Sequence, residues 1–529
     1  MNDCDVVVVG AGPVGLLAAI ELTLGGTHVV VLERLASPST VLKAGGMGPL
    51  GLEALQRRGM ATAIAAAQAR TFEAMQKFAG LNGPSQQRGP GSKYSGHFAG
   101  LILIRADAQK EPGRRGSPVD QQAAEAMLAE RARSLGIEVR RGCDVNGLLQ
   151  HADGVDVNWA SPSGEGRLRC SYLVGCDGGR SAVRKLAGFD FPGSDPTLTM
   201  YQAFAAVDHP ERLSPPGFGY TSGGMFGQLL GRIFMLDFTG PPKDRDAPVT
   251  HEEFETVLRR VSGADVRVKA FENASRWTDN TRLVDSYRRG RVLLAGDAAH
   301  IHSPFGGQGM SLGLVDAANL GWKLAAVVRG EMPESLLDTY TDERRPIAEA
   351  VLANTLAQLA IMRPDPQSAA MRDIVANLMQ FDDANRLFGE MISGLSARYD
   401  LGSERDEVGR LIGNRPIDQD RTSQDLMSQD LTSQDLTSNG AAVSLYDVMQ
   451  DGTGVLLDAS IDKKASRLVA TATRKIRCFA VTTGPSMLIR PDACIAWTGE
   501  ENSIDGLAEA LRRWFGPAPD RGSQVQSGK

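Results

Sequence analysis

The sequence predicts an α/β fold: a discontinuous parallel-sheet domain, an antiparallel sheet inserted into it, and a small α/β domain at the C-terminal end. Three observations predict it. Residues 5–9 are a β-branched run, followed by a glycine turn, an apolar-periodic helix over 13–24 and a second apolar run at 29–32. Strand, helix and strand within roughly thirty residues make one βαβ unit. Between about residues 190 and 280 the pattern becomes alternating and aromatic-rich, as at 200–207 and 232–238, with Gly and Pro between the runs. That is the mark of antiparallel strands. A very apolar strand at 291–295 and a long helix over 311–329 then resume the first pattern.

At 529 residues the chain exceeds one ordinary core, so two or three domains are expected. The first domain takes residues 1–75, 119–188 and 283–410, the last part with further helices; the inserted domain takes 76–118 and 189–282. A helix over 119–136 and a buried strand over 172–176 belong to the first domain. Residues 411–440 read as a linker, because five-residue repeats starting at Ser423, Ser428 and Ser433 are polar and too short per unit to stack. Residues 441–529 form the C-terminal domain, with strands at 454–457, 487–490 and 494–497 and a helix over 504–515.

Composition narrows the partners. A net charge of -6 lacks the clustered cations that nucleic-acid binding needs. Six cysteines without a CxxC fit reduced thiols in a cytoplasmic protein. The N-terminus enters a strand without a basic start, and no run of about eighteen apolar residues follows, so neither a signal peptide nor a membrane span is expected. A small-molecule enzyme remains.

The chemistry sits in three motifs. Gly10-Ala11-Gly12-Pro13-Val14-Gly15 follows the first strand and opens the helix, the context in which GxGxxG makes a Rossmann-type dinucleotide site. Gly10 permits the turn, Gly12 admits a pyrophosphate and Gly15 lets helix and strand approach, with the helix N-terminus facing the anion. Glu33, followed by Arg34, ends the second strand where an acid takes a ribose hydroxyl. The second motif runs from Arg291 through Gly296-Asp297 and His300 to Pro304 and Gly306-Gly307-Gln308-Gly309-Met310. Its strand aims Asp297 at a polyol hydroxyl, and the helix after the glycines can stabilise negative charge on a flat ring; the competing reading is that Asp297 only caps the next turn. The third is Cys176-Asp177-Gly178-Gly179-Arg180, which by itself reads equally as a turn with a salt bridge.

Together these motifs resemble the group A FAD-dependent monooxygenases, the aromatic hydroxylases with the para-hydroxybenzoate hydroxylase fold. The resemblance covers residues 4–350 closely and the remainder loosely. It implies FAD on the Rossmann-type domain: pyrophosphate at Gly10 to Gly15, ribose at Glu33, flavin tail at Gln121, adenine near Val145 and ribityl chain at Asp297. The loop from Pro304 through Gly307, Gln308 and Gly309 to Met310 lies beside the flavin ring, and Asp177 serves both FAD and NAD(P)H. The C-terminal domain resembles a thioredoxin-like extension. Two positions depart from the family: Lys43 stands before Ala44 where Arg is common, and Ser311 follows the glycine loop where Asn is common. Lys cannot reproduce a bidentate guanidinium contact, whereas Ser can cap the helix.

The resemblance further implies that NADPH or NADH visits transiently, since no second GxGxxG follows a strand. Dioxygen then adds to the reduced flavin, and the flavin hydroperoxide oxygenates an apolar aromatic, phenolic or polyketide-like molecule. No catalytic side chain is assigned. Met225, Phe226, Phe234, Met235 and Phe238 are candidates for the substrate pocket or, equally, for a sheet core. His300 and His302 lack a third ligand, so no metal is expected; Arg276, Trp277 and Trp497 read as core or interface residues. Baeyer–Villiger oxygenation or epoxidation is the alternative on the same fold; a non-oxygenating FAD-binding protein with a partner-binding C-terminal domain is the alternative of another class. A homodimer is allowed for. Removal of residues 441–529 is expected to leave FAD bound and to damage stability or association.

Overall fold

The structure is a computed structural model that describes residues 2–41, 44–79, 94–213, 217–229, 231–245, 247–417, 443–473, 475–500 and 502–516. Lys43 and the repeats of the expected linker lie outside these residues. The chain opens with β1 (Cys4–Val9), α1 (Pro13–Leu24), β2 (Val29–Glu33), α2 (Pro49–Gln56) and α3 (Ala61–Ala79). A hairpin of β3 (Tyr94–Phe98) and β4 (Leu101–Arg105) leads to α4 (Gln121–Ser134), then β5 (Glu138–Arg141), β6 (Asp144–Gln150), β7 (Val155–Ser161), β8 (Gly164–Gly175) and α5 (Ala182–Leu186). β1, α1, β2 and α4 match the expected elements to within a few residues; β8 begins eight residues before the expected strand at 172–176, and α2, α3, β3 to β7 and α5 are additions.

β1 pairs in parallel with β2 on one side and with β8 on the other. Both neighbours and the covering helices bury Val6, Val7 and Val8 completely, which explains a continuous apolar run where a half-exposed strand would alternate. α1 is clamped between this sheet and the long helix that returns late in the chain. At the clamp Gly15 is obligatory: a Cβ there would lie 1.9 Å from the Gly10 carbonyl oxygen.

The inserted stretch gives β9 (Gly193–Ser194), β10 (Thr199–Val207), β11 (Gly217–Thr221), β12 (Gly224–Leu229), β13 (Arg232–Asp237), α6 (His251–Ser262), β14 (Val268–Thr278) and β15 (Thr281–Leu283). Five of these strands form one antiparallel sheet in the order β11-β12-β13-β10-β14. The segment is not all sheet, however. Thr250 caps α6 by accepting the Glu253 N–H at 3.1 Å, Gly263 at φ 69° ends it, and Phe254, Val257, Leu258 and Val261 form its buried stripe. α6 covers one face of the sheet; the other face is left for the site.

The first sheet is completed by β16 (Arg288–Arg289) and β17 (Val292–Leu294), which brings it to eight strands. Then come β18 (His300–Ile301), α7 (Gly309–Val328), α8 (Asp338–Met362), α9 (Pro366–Leu378) and α10 (Asp382–Ser393). α7 is long and apolar enough to cross a membrane, but its apolar window is 89% buried inside the protein. The C-terminal part holds β19 (Gly454–Asp458), α11 (Lys464–Ala472), β20 (Ile476–Ala480), β21 (Ser486–Ile489), β22 (Ile495–Gly499) and α12 (Leu507–Phe515). β20 and α11 are additions to the expected elements. The sheet order β20-β19-β21-β22, with one parallel and two antiparallel pairings, is the mixed pattern of a thioredoxin-like domain.

Buried ion pairs fasten this domain to the rest. Arg58 donates to both oxygens of Glu21 and to the carbonyls of Met449 and Pro491. Arg490 grips Glu343 at 2.9 and 2.7 Å, and Lys323 lies 2.9 Å from the same carboxylate. Burial by itself raises the Glu343 carboxyl, but Arg490 and Lys323 outweigh it and hold the group below its ordinary 4.5.

A carboxyl depressed in the folded state stabilises the protein above its unfolded pKa, and that contribution is lost as pH falls below it. The melting temperature of the wild type is therefore expected to fall below about pH 4.5. Glu343→Gln, which leaves Lys323 without its carboxylate and Arg490 with Asp492 alone, is expected to cost roughly 3–5 kcal/mol at neutral pH and to flatten the acid slope. Unfolding curves at neutral and acid pH check both.

Candidate functional site

One cavity of about 1600 Å³ runs from the β1–α1 turn to the uncovered face of the antiparallel sheet. An ordinary small-molecule pocket occupies roughly 300–1,000 Å³, so this one has room for an extended ligand and a second molecule beside it.

At one end stands the N-terminus of α1. Gly12 is its N-cap residue, no side chain caps it, and no acid lies in its first turn, so its free N–H groups favour an anion. Gly10 adopts φ 105°, and a Cβ there would lie 2.5 Å from the Cys176 carbonyl oxygen; a Cβ on Gly12 would meet nothing within 4 Å. Gly10 and Gly15 thus serve the backbone, while Gly12 borders open cavity. Pro13, Val14, Glu33, Arg34, Gln121 and Val145 also line the wall. Ala11, 1% exposed, acts from behind: its N–H donates to Glu33 Oε2 at 2.7 Å, while Leu35 N–H donates to Oε1 at 2.8 Å. The Glu33 carboxylate is therefore fixed in place at the rim.

Midway along the cavity, Asp297 is exposed on a turn whose neighbours are buried. The N-cap position of this turn is Ala295, which has no side-chain cap, so Asp297 is not its cap. The turn is held from beneath, where Asp316 Oδ2 accepts the Gly296 N–H at 3.1 Å and meets His300 Nε2 at 2.6 Å. Burial opposes charge on Asp316, but Arg344 and His300 hold its carboxyl below the ordinary value. Pro304, Gly307, Gly309 and Met310 border the cavity beside Asp297. Of the His pair, His300 Nε2 meets Asp316 at 2.6 Å and His302 Nδ1 lies 2.7 Å from the Ser303 carbonyl; no cluster of three metal-ligating side chains exists among the described residues.

Several expected contacts are corrected. Gln308 turns away from the cavity, donating to the Met391 carbonyl at 2.7 Å and accepting from Asn354 at 3.1 Å; it ties the glycine loop to α8 and α10. Ser311 is not the cap of α7, whose N-cap is Gln308; its hydroxyl accepts the Gly48 N–H at 2.9 Å and holds the loop before α2. Asp177 borders the cavity, but its carboxylate accepts from Ser181 Oγ and from the N–H groups of Ala182 and Val183. It caps α5 and shapes the turn.

The sheet face divides the pocket candidates by strand alternation. Met225, Phe234 and Leu236 face the cavity with Met200, Phe218 and Trp277. Phe226 stands opposite Met235, and both pack with Phe254 of α6, so Phe226 is core; Met235 is wholly buried in the same cluster, with only some atoms at the cavity wall. Phe238 packs with the α8–α10 side instead, under the Arg363 guanidinium at 5.8 Å.

Sequence reasoning missed Arg232. Its guanidinium, 5% exposed, borders the cavity at 4.7 Å from the Phe204 ring, and its Nε has no hydrogen-bond partner among the described residues. Burial lowers its pKa against the pull of Asp120. An arginine opening an apolar strand directly after a glycine was the available signal.

Two pairs of variants separate lining from support. Gly12→Ala is expected to fold with unchanged Tm yet bind FAD more weakly, whereas Gly15→Ala is expected to lose stability outright; apoprotein melting and flavin titration check this. Phe226→Ala is expected to cost about 3–5 kcal/mol as a core truncation without altering substrate preference. Met225→Ala, at the cavity wall but also only 1% exposed, is expected to lower Tm as a core truncation does and, unlike Phe226→Ala, to change KM across aromatic substrates.

The residues present fit FAD: an open helix N-terminus behind a glycine without contacts, a fixed acid at the end of β2, and an exposed Asp on a rigid turn. The comparisons with known proteins agree. Residues 3–355 match the FAD binding domain model, and residues 426–518 match that of the aromatic-ring hydroxylase C-terminal domain. A 12-dehydrotetracycline 5-monooxygenase/anhydrotetracycline 6-monooxygenase of Streptomyces rimosus is 38% identical over 97% of this chain and 99% of its own. A dialkyldecalin synthase of Streptomyces rugosporus is 32% identical over 98% of this chain and 100% of its own. The solved anhydrotetracycline hydroxylase of Streptomyces rimosus superposes with a TM-score of 0.80 at 37% identity, covering 97% of this chain and 99% of the other. The chain belongs to the group A FAD-dependent monooxygenases, the family of the aromatic-ring hydroxylases.

Proposed function

We propose that this monooxygenase hydroxylates a polycyclic, polyketide-like aromatic, with NADPH or NADH as the transient reductant. The observation that carries the reading is the single cavity joining the α1 N-terminus, the Asp297 turn and the apolar sheet face. FAD, when bound, supplies the redox chemistry and the activation of dioxygen. The chain's own residues bind and orient. Helix α1 and Gly12 take the pyrophosphate, Glu33 a ribose hydroxyl, Val145 and Gln121 flank the dinucleotide, and Asp297 takes a ribityl hydroxyl. The N-terminus of α7 and Arg232 border the same cavity and would offer fixed positive potential to negative charge on a flavin held there. Met200, Met225, Phe234 and Trp277 hold a flat substrate and exclude water. A cytoplasmic enzyme fits six free cysteines.

A second reading is favoured by the likeness to the dialkyldecalin synthase: the same scaffold holding FAD without oxygenating. The deciding assay follows NADH and NADPH oxidation under dissolved oxygen with anhydrotetracycline, simpler phenols and linear polycyclic aromatics. Hydroxylation is expected as substrate-stimulated flavin reduction and a product heavier by one oxygen atom. A ring-expanded lactone would move the reading to Baeyer–Villiger chemistry, and flavin reduction that no member of the panel accelerates would favour the second reading.

A further inference from the structure

One face of α7 carries three wholly buried polar side chains, Asp316, Asn319 and Lys323, spaced i, i+3 and i+7 along the helix. They point to two different partners. Asp316 serves the cavity: Oδ2 holds the Gly296 N–H at 3.1 Å, directly before Asp297, and Oδ1 accepts from Arg344 Nε at 2.7 Å. Asn319 and Lys323 serve the C-terminal domain. Asn319 Nδ2 donates to Glu343 at 2.6 Å and to Asp492 at 3.0 Å, while Lys323 pairs with Glu343.

The two halves meet on α8, where Glu343 and Arg344 are consecutive. Glu343 receives Arg490 in bidentate fashion, and Arg490 Nη2 also donates to Asp492 at 2.6 Å. The Arg344 and Arg490 guanidinium carbons lie 5.8 and 5.6 Å from the same Tyr399 ring, and Arg344 Nη1 donates to the Tyr399 hydroxyl at 3.1 Å. The turn that presents Arg490 and Asp492 is itself constrained: Ala493 sits at φ 67°, a left-handed conformation that persists only where its surroundings impose it. Arg58 secures it through the Pro491 carbonyl at 3.0 Å.

An apolar seam of equal volume would join two domains at lower desolvation cost. What a bidentate ion cluster adds is a fixed direction. We propose that the Arg490–Asp492 turn of the C-terminal domain is a positioning element of the FAD site, setting the Gly296–Asp297 turn through Glu343, Arg344 and Asp316. The proposal rests on the reading of Asp297 as a FAD-holding residue. Arg490 touches neither cofactor nor substrate; it acts through the carboxylates that lock α7 and α8 together.

The test uses the full-length protein with Arg490→Met, Arg490→Lys and Asp492→Asn. Leu511→Ala is the comparator, since it opens the core of the same domain beneath α12 without touching the relay. Melting temperature, FAD affinity by flavin fluorescence and visible circular dichroism of the bound flavin are read on each. Arg490→Met is expected to weaken FAD about tenfold, as removal of the group behind a ligand-holding residue does, and to change the dichroism. Arg490→Lys should recover part of both, and Leu511→Ala should lower Tm while keeping parental FAD affinity and dichroism. Parental flavin properties in Arg490→Met overturn the proposal, as does an equal FAD loss in Leu511→Ala. Should Arg490→Met fail to fold, the Lys and Asn variants decide on the same readouts. Asp297→Ala separates the two ideas: unchanged FAD affinity there refutes the Asp297 reading, while a loss there beside parental Arg490 variants refutes only the relay.

Discussion

The Asp316 carboxylate is the interaction on which the rest of the site depends. It is wholly buried, and a buried carboxylate persists only when its lone pairs are taken up. His300, Arg344 and the Gly296 N–H take them. Those three partners come from β18, α8 and the end of β17, so one side chain on α7 fixes where a strand, a helix and a turn lie relative to one another. Asp297 is exposed to the cavity because everything around it is tied down.

Close backbone approach is the second constraint, and it works with the first. α1 can reach β1 because Gly15 carries no side chain, and α7 can reach the Asp297 turn for the same reason: a Cβ on Gly313 would lie 3.1 Å from the Gly296 Cα and 2.7 Å from Val14 Cγ2. The two helix N-termini therefore lie close together at one cavity. Such pre-oriented dipoles need no reorganisation when a ligand's charge changes, which is the condition for electrostatic stabilisation to be effective.

The antiparallel sheet supplies the other wall. Because side chains alternate, the same strands build a core with α6 on one face and an apolar cavity lining on the other. The family's oxygenation chemistry belongs to FAD; the apolar face of the sheet lines the same cavity. The C-terminal domain is joined to the FAD-binding sheet by buried ion clusters, so it is part of the same mechanical unit.

The strands and helices with strong periodicity, and the glycine motifs, are legible in the residues alone, since β1, α1 and α7 are specified by local patterns and Gly10, Gly12 and Gly15 by backbone geometry. The sequence also brought Asp297 to attention, because a lone acid after an apolar strand has few uses. Only the tertiary structure decided the rest. Phe226 and Phe234 are indistinguishable as residue types until the register of β12 and β13 assigns their faces. Gln308, Ser311 and Asp177 carry side chains that suit ligand binding, yet each carries a hydrogen bond to a distant or neighbouring backbone group that the motif does not name. The Arg490 cluster, which meets α7 from far along the chain, is invisible to local pattern because its partner Glu343 lies more than a hundred residues away; Arg232 carries a local signal, but its burial at the cavity wall does not follow from it. Burial turns such charges from surface features into determinants of position, and burial is a property of the folded chain alone.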